Sequence, residues 1–70
     1  MSIKEIGNAI KERRNALNIR QPDLAELAQV SLNTVYRLER GMGNPSLDVL
    51  QKMADVLGME LLMTVRQQHS

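Results

Sequence analysis

Side chains that can read the edges of DNA bases are concentrated between residues 32 and 40. The amide of Asn33 can pair bidentately with adenine, the guanidinium of Arg37 can do so with guanine, and Leu32 can contact a thymine methyl group. Tyr36 and Arg40 share the outward face when this segment is drawn as a helix. A solvated helix face is the alternative interpretation, because exposed Asn and Arg side chains are common.

The residues that enzymes and metal sites need are scarce in this chain. It has no cysteine, and its one histidine, His69, lies next to the C-terminus. No nucleophile can be paired with a base, and no glycine-rich phosphate loop can be assembled. We therefore expect no catalytic activity, no metal site and no cofactor.

The size and composition predict one small helical domain. Seventy residues, of which 43% are hydrophobic and 24% are charged, can fold around a single core. Tyr36 is the one aromatic residue, so the core must consist of aliphatic and methionine side chains, which are compatible with helices. Neither a membrane span nor a signal peptide is recognisable, which predicts a cytoplasmic protein with no membrane partner. The net charge of +1 permits an anionic partner without requiring one.

Periodic apolar residues divide the chain into four predicted helices. These helices are expected at about residues 3–17, 21–28, 32–40 and 47–57. Their ends are marked by residues that satisfy free backbone groups. Serines are expected to cap three starts and glycines to follow two ends: Ser2, Ser31, Ser46, Gly41 and Gly58.

One cation lies on the apolar side of the first predicted helix. Arg14 follows Ile10 by four residues and precedes Leu17 by three, so its side chain should be at least partly buried. A buried guanidinium needs an anionic partner. Arg13 lies off this apolar stripe and is expected to be solvated.

The last segment changes from a helical period to a period of two. Alternate positions are occupied by the apolar residues Met59, Leu61, Met63 and Val65, which predicts a strand. A single strand on a helical domain has no ladder partner within its own chain. The simplest remedy is the same strand from a second copy, which predicts a homodimer. A last helical turn followed by a frayed tail is the alternative.

The second and third predicted helices have the spacing of a helix-turn-helix. That motif needs a small residue where the helices cross, an apolar residue in the turn and an inward pair in the second helix. Ala25, Val30, Val35 and Leu38 stand in these places in order.

On these residues the chain resembles a known family. The segment QPDLAELAQVSLNTVYRLERG, residues 21–41, resembles the Xre/Cro-type helix-turn-helix of phage and bacterial repressors. The resemblance extends over most of the chain and implies an all-α, lambda-repressor-like domain of four helices at residues 1–58. Residues 59–70 would then form a C-terminal dimerisation strand and tail. Within that family, the segment MELLMTVR is similar to the strand of HipB-type antitoxins, which pair with a HipA-type kinase toxin.

The resemblance also implies two kinds of DNA contact and one internal ion pair. Base edges would be contacted by Leu32, Asn33, Tyr36 and Arg37. Backbone phosphates would be contacted by Gln21, Ser31 and Arg40. Arg14 would pair with Glu39. This residue would be the anionic partner that Arg14 needs on the apolar side of the first helix.

The chain departs from the family's pattern at the second helix. The family usually has glycine where Gln29 stands, and a left-handed backbone there would cost Gln about 1 kcal/mol or more. Arg20 replaces the usual Ser or Thr cap, so the helix start lacks a side-chain acceptor. Pro22 can shift that start by one residue, which would change the direction of the Gln21 side chain.

Together the residues and the resemblance predict a sequence-specific DNA-binding transcriptional repressor. It would act as a homodimer on a palindromic operator in the cytoplasm, associated with the bacterial nucleoid when bound. A finer hypothesis makes it the antitoxin of a toxin-antitoxin operon, with a HipA-type kinase as partner. The alternative is a protein-protein interaction module that uses the same scaffold without binding DNA.

Overall fold

The computed structural model describes residues 2–63, which form four helices. These are α1 (Ile3–Ala16), α2 (Gln21–Ala28), α3 (Leu32–Glu39) and α4 (Leu47–Leu57). The predicted all-α, four-helix architecture is confirmed for this part of the chain. The ends differ from the expectation by one residue, because Leu17 is the C-cap of α1 and Arg40 the C-cap of α3.

Local chemistry accounts for where the helices begin. Ser2 and Glu5 form a reciprocal capping box at the start of α1. Ser31 accepts a hydrogen bond from the backbone N–H of Thr34, and Ser46 accepts one from that of Val49. The start of α2 differs, because Arg20 makes no side-chain cap and the helix relies on Pro at its first turn.

The core lies where the two helix pairs meet. α1 and α2 each contact both α3 and α4. The buried hydrophobic side chains are aliphatic or methionine, as expected from the composition, and they come from all four helices: Ile10, Leu24, Ala25, Ala28, Val35, Leu38, Met53, Ala54 and Leu57.

A glycine allows α1 and α3 to approach each other closely. Gly7 is buried in the first half of α1, and a Cβ atom on it would collide with the backbone carbonyl oxygen of Leu38. Gly7 therefore fixes the distance between α1 and the end of α3.

A second arginine of α1 has a structural partner. Arg13 Nε donates a hydrogen bond of 2.8 Å to the backbone carbonyl oxygen of Leu57, in the last turn of α4. Arg13 is exposed, as expected, but it also has this contact, which the sequence did not predict. The apolar period of α1 could not reveal this contact, because the acceptor is a backbone group 44 residues further along the chain.

The segment after α4 does not form the predicted strand within the described residues. Residues 59–63 have no regular secondary structure. A strand is defined by a ladder to another strand, and residues 2–63 contain no second strand. Met59 and Leu61 are half-buried and lie along α1 and α4 of their own chain, whereas Met63 is fully exposed. Val65 lies outside the described residues.

Among residues 2–63, no helix has the length and apolar character needed to cross a membrane.

Candidate nucleic-acid interface

The turn between α2 and α3 sets the direction of α3 relative to α2. Gln29 has a left-handed backbone, with φ 58° and ψ 44°, and reverses the chain at the end of α2. The N–H of Val30 then donates to the carbonyl of Ala25 at 3.0 Å. Because Ala25 is small and buried, α3 can cross α2 closely and start at the Ser31 cap.

The two sides of α3 have opposite character. Val35 and Leu38 are almost wholly buried, at 0% and 1% exposure. The other side is open to solvent, and it carries the residues predicted to face base edges: Leu32, Asn33, Tyr36 and Arg37. All four thus lie on one accessible surface of one helix. We call this set, together with Arg40, the reading face.

Cations on the reading face have no carboxylate partner within the described residues. The ion pairs of residues 2–63 are Arg14–Glu39, Arg20–Asp23 and Lys52–Asp48. The guanidinium of Arg37 lies beside Gly43 of the loop between α3 and α4. The guanidinium of Arg40 lies over the ring of Tyr36, 5.4 Å from its centre. Both charges therefore remain available to an anionic ligand.

A buried ion pair holds the end of α3 against α1. Arg14 Nε donates to Glu39 Oε2 at 2.7 Å, and its Nη2 donates to Oε1 at 2.9 Å. A third donor, Nη1, reaches the carbonyl oxygen of Ile19 at 2.8 Å. The hydrogen bond to Glu39 raises the pKa of Arg14 above its ordinary value, against the opposing effect of burial. The guanidinium is thus charged at neutral pH, and the pair is bidentate.

Gln21 belongs to the same network. Its Nε2 donates to Glu39 Oε1 at 3.0 Å, so the first residue of α2 is tied to the last residue of α3. One N–H of the Gln21 amide is thus engaged by Glu39, in a residue that was predicted to contact a phosphate. Sequence reasoning missed this bond, because a polar residue at a helix start has no apolar period that indicates a partner.

Ser31 is used chiefly as a helix cap. Its hydroxyl accepts from the Thr34 N–H at 3.0 Å and lies 2.7 Å from the Thr34 hydroxyl. The residue is exposed next to the reading face, at the position predicted to approach a phosphate.

No group of His, Cys, Asp and Glu side chains in residues 2–63 is arranged to hold a metal ion.

Comparisons with known proteins give a consistent result. A family model described as helix-turn-helix matches residues 10–62. A protein of Methanococcus vannielii, named as an HTH-type transcriptional regulatory protein, is 41% identical over 56 residues, or 80% of this chain. A similarly named protein of Methanocaldococcus jannaschii is 40% identical over 60 residues, or 86% of this chain.

A third relative is the HTH-type transcriptional regulator DdrOP3 of Deinococcus deserti. It is 40% identical over 50 residues, which is 71% of this chain and 39% of that protein. The match covers only 17% of the Methanococcus relative and 19% of the Methanocaldococcus relative. The likeness to those two proteins therefore concerns one part of much longer chains.

Proposed function

The chain belongs to the helix-turn-helix family, and from this premise we propose that it is a sequence-specific DNA-binding transcriptional repressor. The relatives' names support regulation of transcription as the process. The proposed ligand is duplex DNA, and the proposed reading element is α3.

The reading face is the observation that carries this proposal. Asn33 and Arg37 are exposed on α3, on the side opposite the buried Val35 and Leu38. Asn and Arg are the side chains that pair bidentately with adenine and guanine in the major groove, which is wide enough to admit a helix. The interlocked Gln21, Glu39 and Arg14 hold the two ends of the motif together, so α3 can enter the groove as a rigid body.

We propose a homodimer as the DNA-binding form. A single α3 has about two turns and reads few base pairs. Two copies related by a two-fold axis would read half-sites about 34 Å apart, one turn of the duplex, and the operator would be a palindrome. The alternating residues Met59, Leu61, Met63 and Val65 are the proposed contact between the copies.

Selection of bound sequences from random duplexes is the main test. We expect a palindrome whose half-sites lie one helical turn apart. Failure to enrich any sequence would contradict sequence-specific binding, and enrichment of one unrepeated half-site would contradict the dimer.

Two arginine variants separate base contacts from phosphate contacts. Arg37→Ala should cost about 1 to 3 kcal/mol in operator binding and relax discrimination at one base pair. Arg40→Ala should weaken binding to operator and random DNA by the same factor, because a phosphate contact has no sequence preference. Equal losses on both DNAs for Arg37→Ala would place Arg37 at a phosphate instead.

Salt dependence separates DNA binding from a protein-only role of the same scaffold. Binding that depends on phosphate contacts weakens steeply as ionic strength rises. If the protein has no affinity for duplex DNA at about 50 mM salt, the reading face serves a protein partner and the repressor proposal is wrong.

The antitoxin role is the finer hypothesis within this proposal. It rests on the alternating residues of the segment 59–66, which resemble the strand of HipB-type antitoxins. Under this hypothesis the protein forms a stable complex with a HipA-type kinase and represses its own operon. Size-exclusion chromatography of the two proteins mixed at micromolar concentration tests it, and separate elution would contradict it.

A further inference from the structure

A shallow recess lies beside the polar residues of the reading face, where the first turn of α2 meets the outer side of α3. Its lining comes from Gln21 and Pro22 of α2 and from Leu32, Asn33 and Tyr36 of α3. Three of these five residues, Pro22, Leu32 and Tyr36, have largely apolar side chains. Leu32 and Tyr36 are each about half exposed, at 48% and 47%.

Two contacts engage side chains that line the recess. The Gln21 amide nitrogen donates to Glu39 at 3.0 Å, so that N–H is not available to a ligand in the recess. The Arg40 guanidinium lies 5.4 Å from the centre of the Tyr36 ring, a cation–π contact that favours one position of the ring. A largely apolar surface thus lies in the middle of a surface otherwise suited to hydrogen bonding.

The chemistry of the major groove identifies what such a recess can accept. Base edges in that groove present hydrogen-bond donors and acceptors, with one apolar exception, the methyl group on C5 of thymine. The arginines next to the recess, Arg37 and Arg40, make it continuous with a surface that attracts a polyanion. We propose that the recess between Pro22, Leu32 and Tyr36 binds a pyrimidine C5-methyl group of duplex DNA.

This inference rests on the proposed function and adds a determinant of specificity to it. Leu32 alone was expected to touch a thymine methyl from its place in the sequence. The structure adds Pro22 of α2 and Tyr36 as further walls of one binding site. The recess is open to solvent, so the C5 edge of a base can approach it with its methyl group. Thymine and 5-methylcytosine present the same group.

Replacing thymine by deoxyuridine, one position at a time, in the selected operator tests the proposal. The exchange removes one methyl group and leaves every hydrogen-bonding group of the base unchanged. We expect one or two positions in each half-site at which affinity falls about fourfold, the loss expected for exposing one methyl-sized apolar group. Equal affinity for thymine and uracil at every position would overturn the proposal.

Protein variants assign the effect to the recess. Leu32→Ala should weaken binding to the thymine operator and abolish the difference between thymine and uracil. Leu27→Ala is the matched control, because Leu27 is 61% exposed on α2 and is not part of the recess lining. The thymine preference should be unchanged in this control. A preference that persists in Leu32→Ala would place the methyl contact elsewhere and overturn the assignment.

A third experiment compares the two sources of the methyl group, thymine and 5-methylcytosine. It also distinguishes failure of the recess proposal from failure of the proposed function. At the sensitive position, 5-methylcytosine should bind about fourfold more tightly than cytosine if its methyl enters the recess. Equal binding of the two cytosines would restrict the site to thymine. If the selection yields an operator but uracil is tolerated everywhere, this inference fails alone, whereas failure to obtain any operator contradicts the proposed function itself.

Discussion

Glu39 is the residue at which three helices are joined. It stands at the end of α3 and accepts hydrogen bonds from Arg14 of α1 and from Gln21 of α2. Its side chain is 2% exposed and that of Arg14 is 11% exposed, so neither charge is well solvated. Each charge therefore depends on the other, and the geometry of the reading face depends on both.

Removing one member of this pair should be strongly destabilising. Glu39→Ala leaves the Arg14 guanidinium buried without an anion, and we expect a loss of about 3 kcal/mol or more in the free energy of unfolding, measured by urea denaturation. The double variant Arg14→Leu/Glu39→Leu removes both charges and should recover most of that loss.

The exposed pair Asp48–Lys52 on α4 provides the matched control. Its N–O distance is 3.2 Å, but the two side chains are 75% and 44% exposed. Asp48→Ala should therefore change the stability by less than about 1 kcal/mol. If Glu39→Ala costs no more than Asp48→Ala, the buried pair does not hold α3 in place.

The partner of a single residue was predictable where the local apolar pattern already indicated that the residue is buried. Arg14 lies within an apolar period, so its need for an anion could be stated in advance, and the structure provides Glu39. Gln21 and Arg13 lie outside such a period, and their partners come from distant parts of the chain. Nothing in the local pattern could indicate those bonds.

At the scale of the elements, Gly7 sets the packing of α1 on α3. Intrinsic helix propensity favours Gly7→Ala by about 1 kcal/mol. The added Cβ would collide with the Leu38 carbonyl, so the two helices would have to separate. We expect a net loss of about 2 kcal/mol in thermal or urea unfolding, as overpacking produces. Asn8→Ala, at the next and exposed position, should be neutral or slightly stabilising, and similar results for both variants would contradict the close approach.

The end of α2 stores strain that a substitution can release. Gln29 has the positive φ of 58° that glycine adopts without cost. Gln29→Gly should therefore raise the free energy of unfolding by about 0.5 to 1 kcal/mol, after the entropic cost of glycine in the unfolded chain. Glu12→Gly, in the exposed middle of α1, should lower it by about 1 kcal/mol. A loss of stability in both variants would contradict the strained turn.

The elements themselves followed from local signals, with one exception. Serine caps and glycine ends depend on adjacent backbone groups, so the starts of α1, α3 and α4 could be read from the sequence. The secondary structure of the segment after Gly58 could not be predicted from such local signals. Its alternation describes which side chains share a face, whereas a strand requires a second segment to pair with.

At the scale of the whole molecule, the proposed dimer depends on the residues after α4. Deleting residues 60–70 should shift the protein from dimer to monomer in sedimentation velocity, because three of the four proposed contact residues are removed. Removing only residues 67–70 is the matched control and should leave the dimer intact. An unchanged dimer after the longer deletion would refute pairing through this segment.

The hydrogen bond from Arg13 to Leu57 bears on the spacing of the two reading faces in the proposed dimer. It clamps the terminus of α4 to α1, which is itself locked to α3 by Arg14 and Glu39. The chain after α4 therefore starts from a point that is tied through α1 to the helix that carries the reading face. In the proposed dimer, the direction of the chain beyond this hydrogen bond would set the separation of the two half-sites along the duplex.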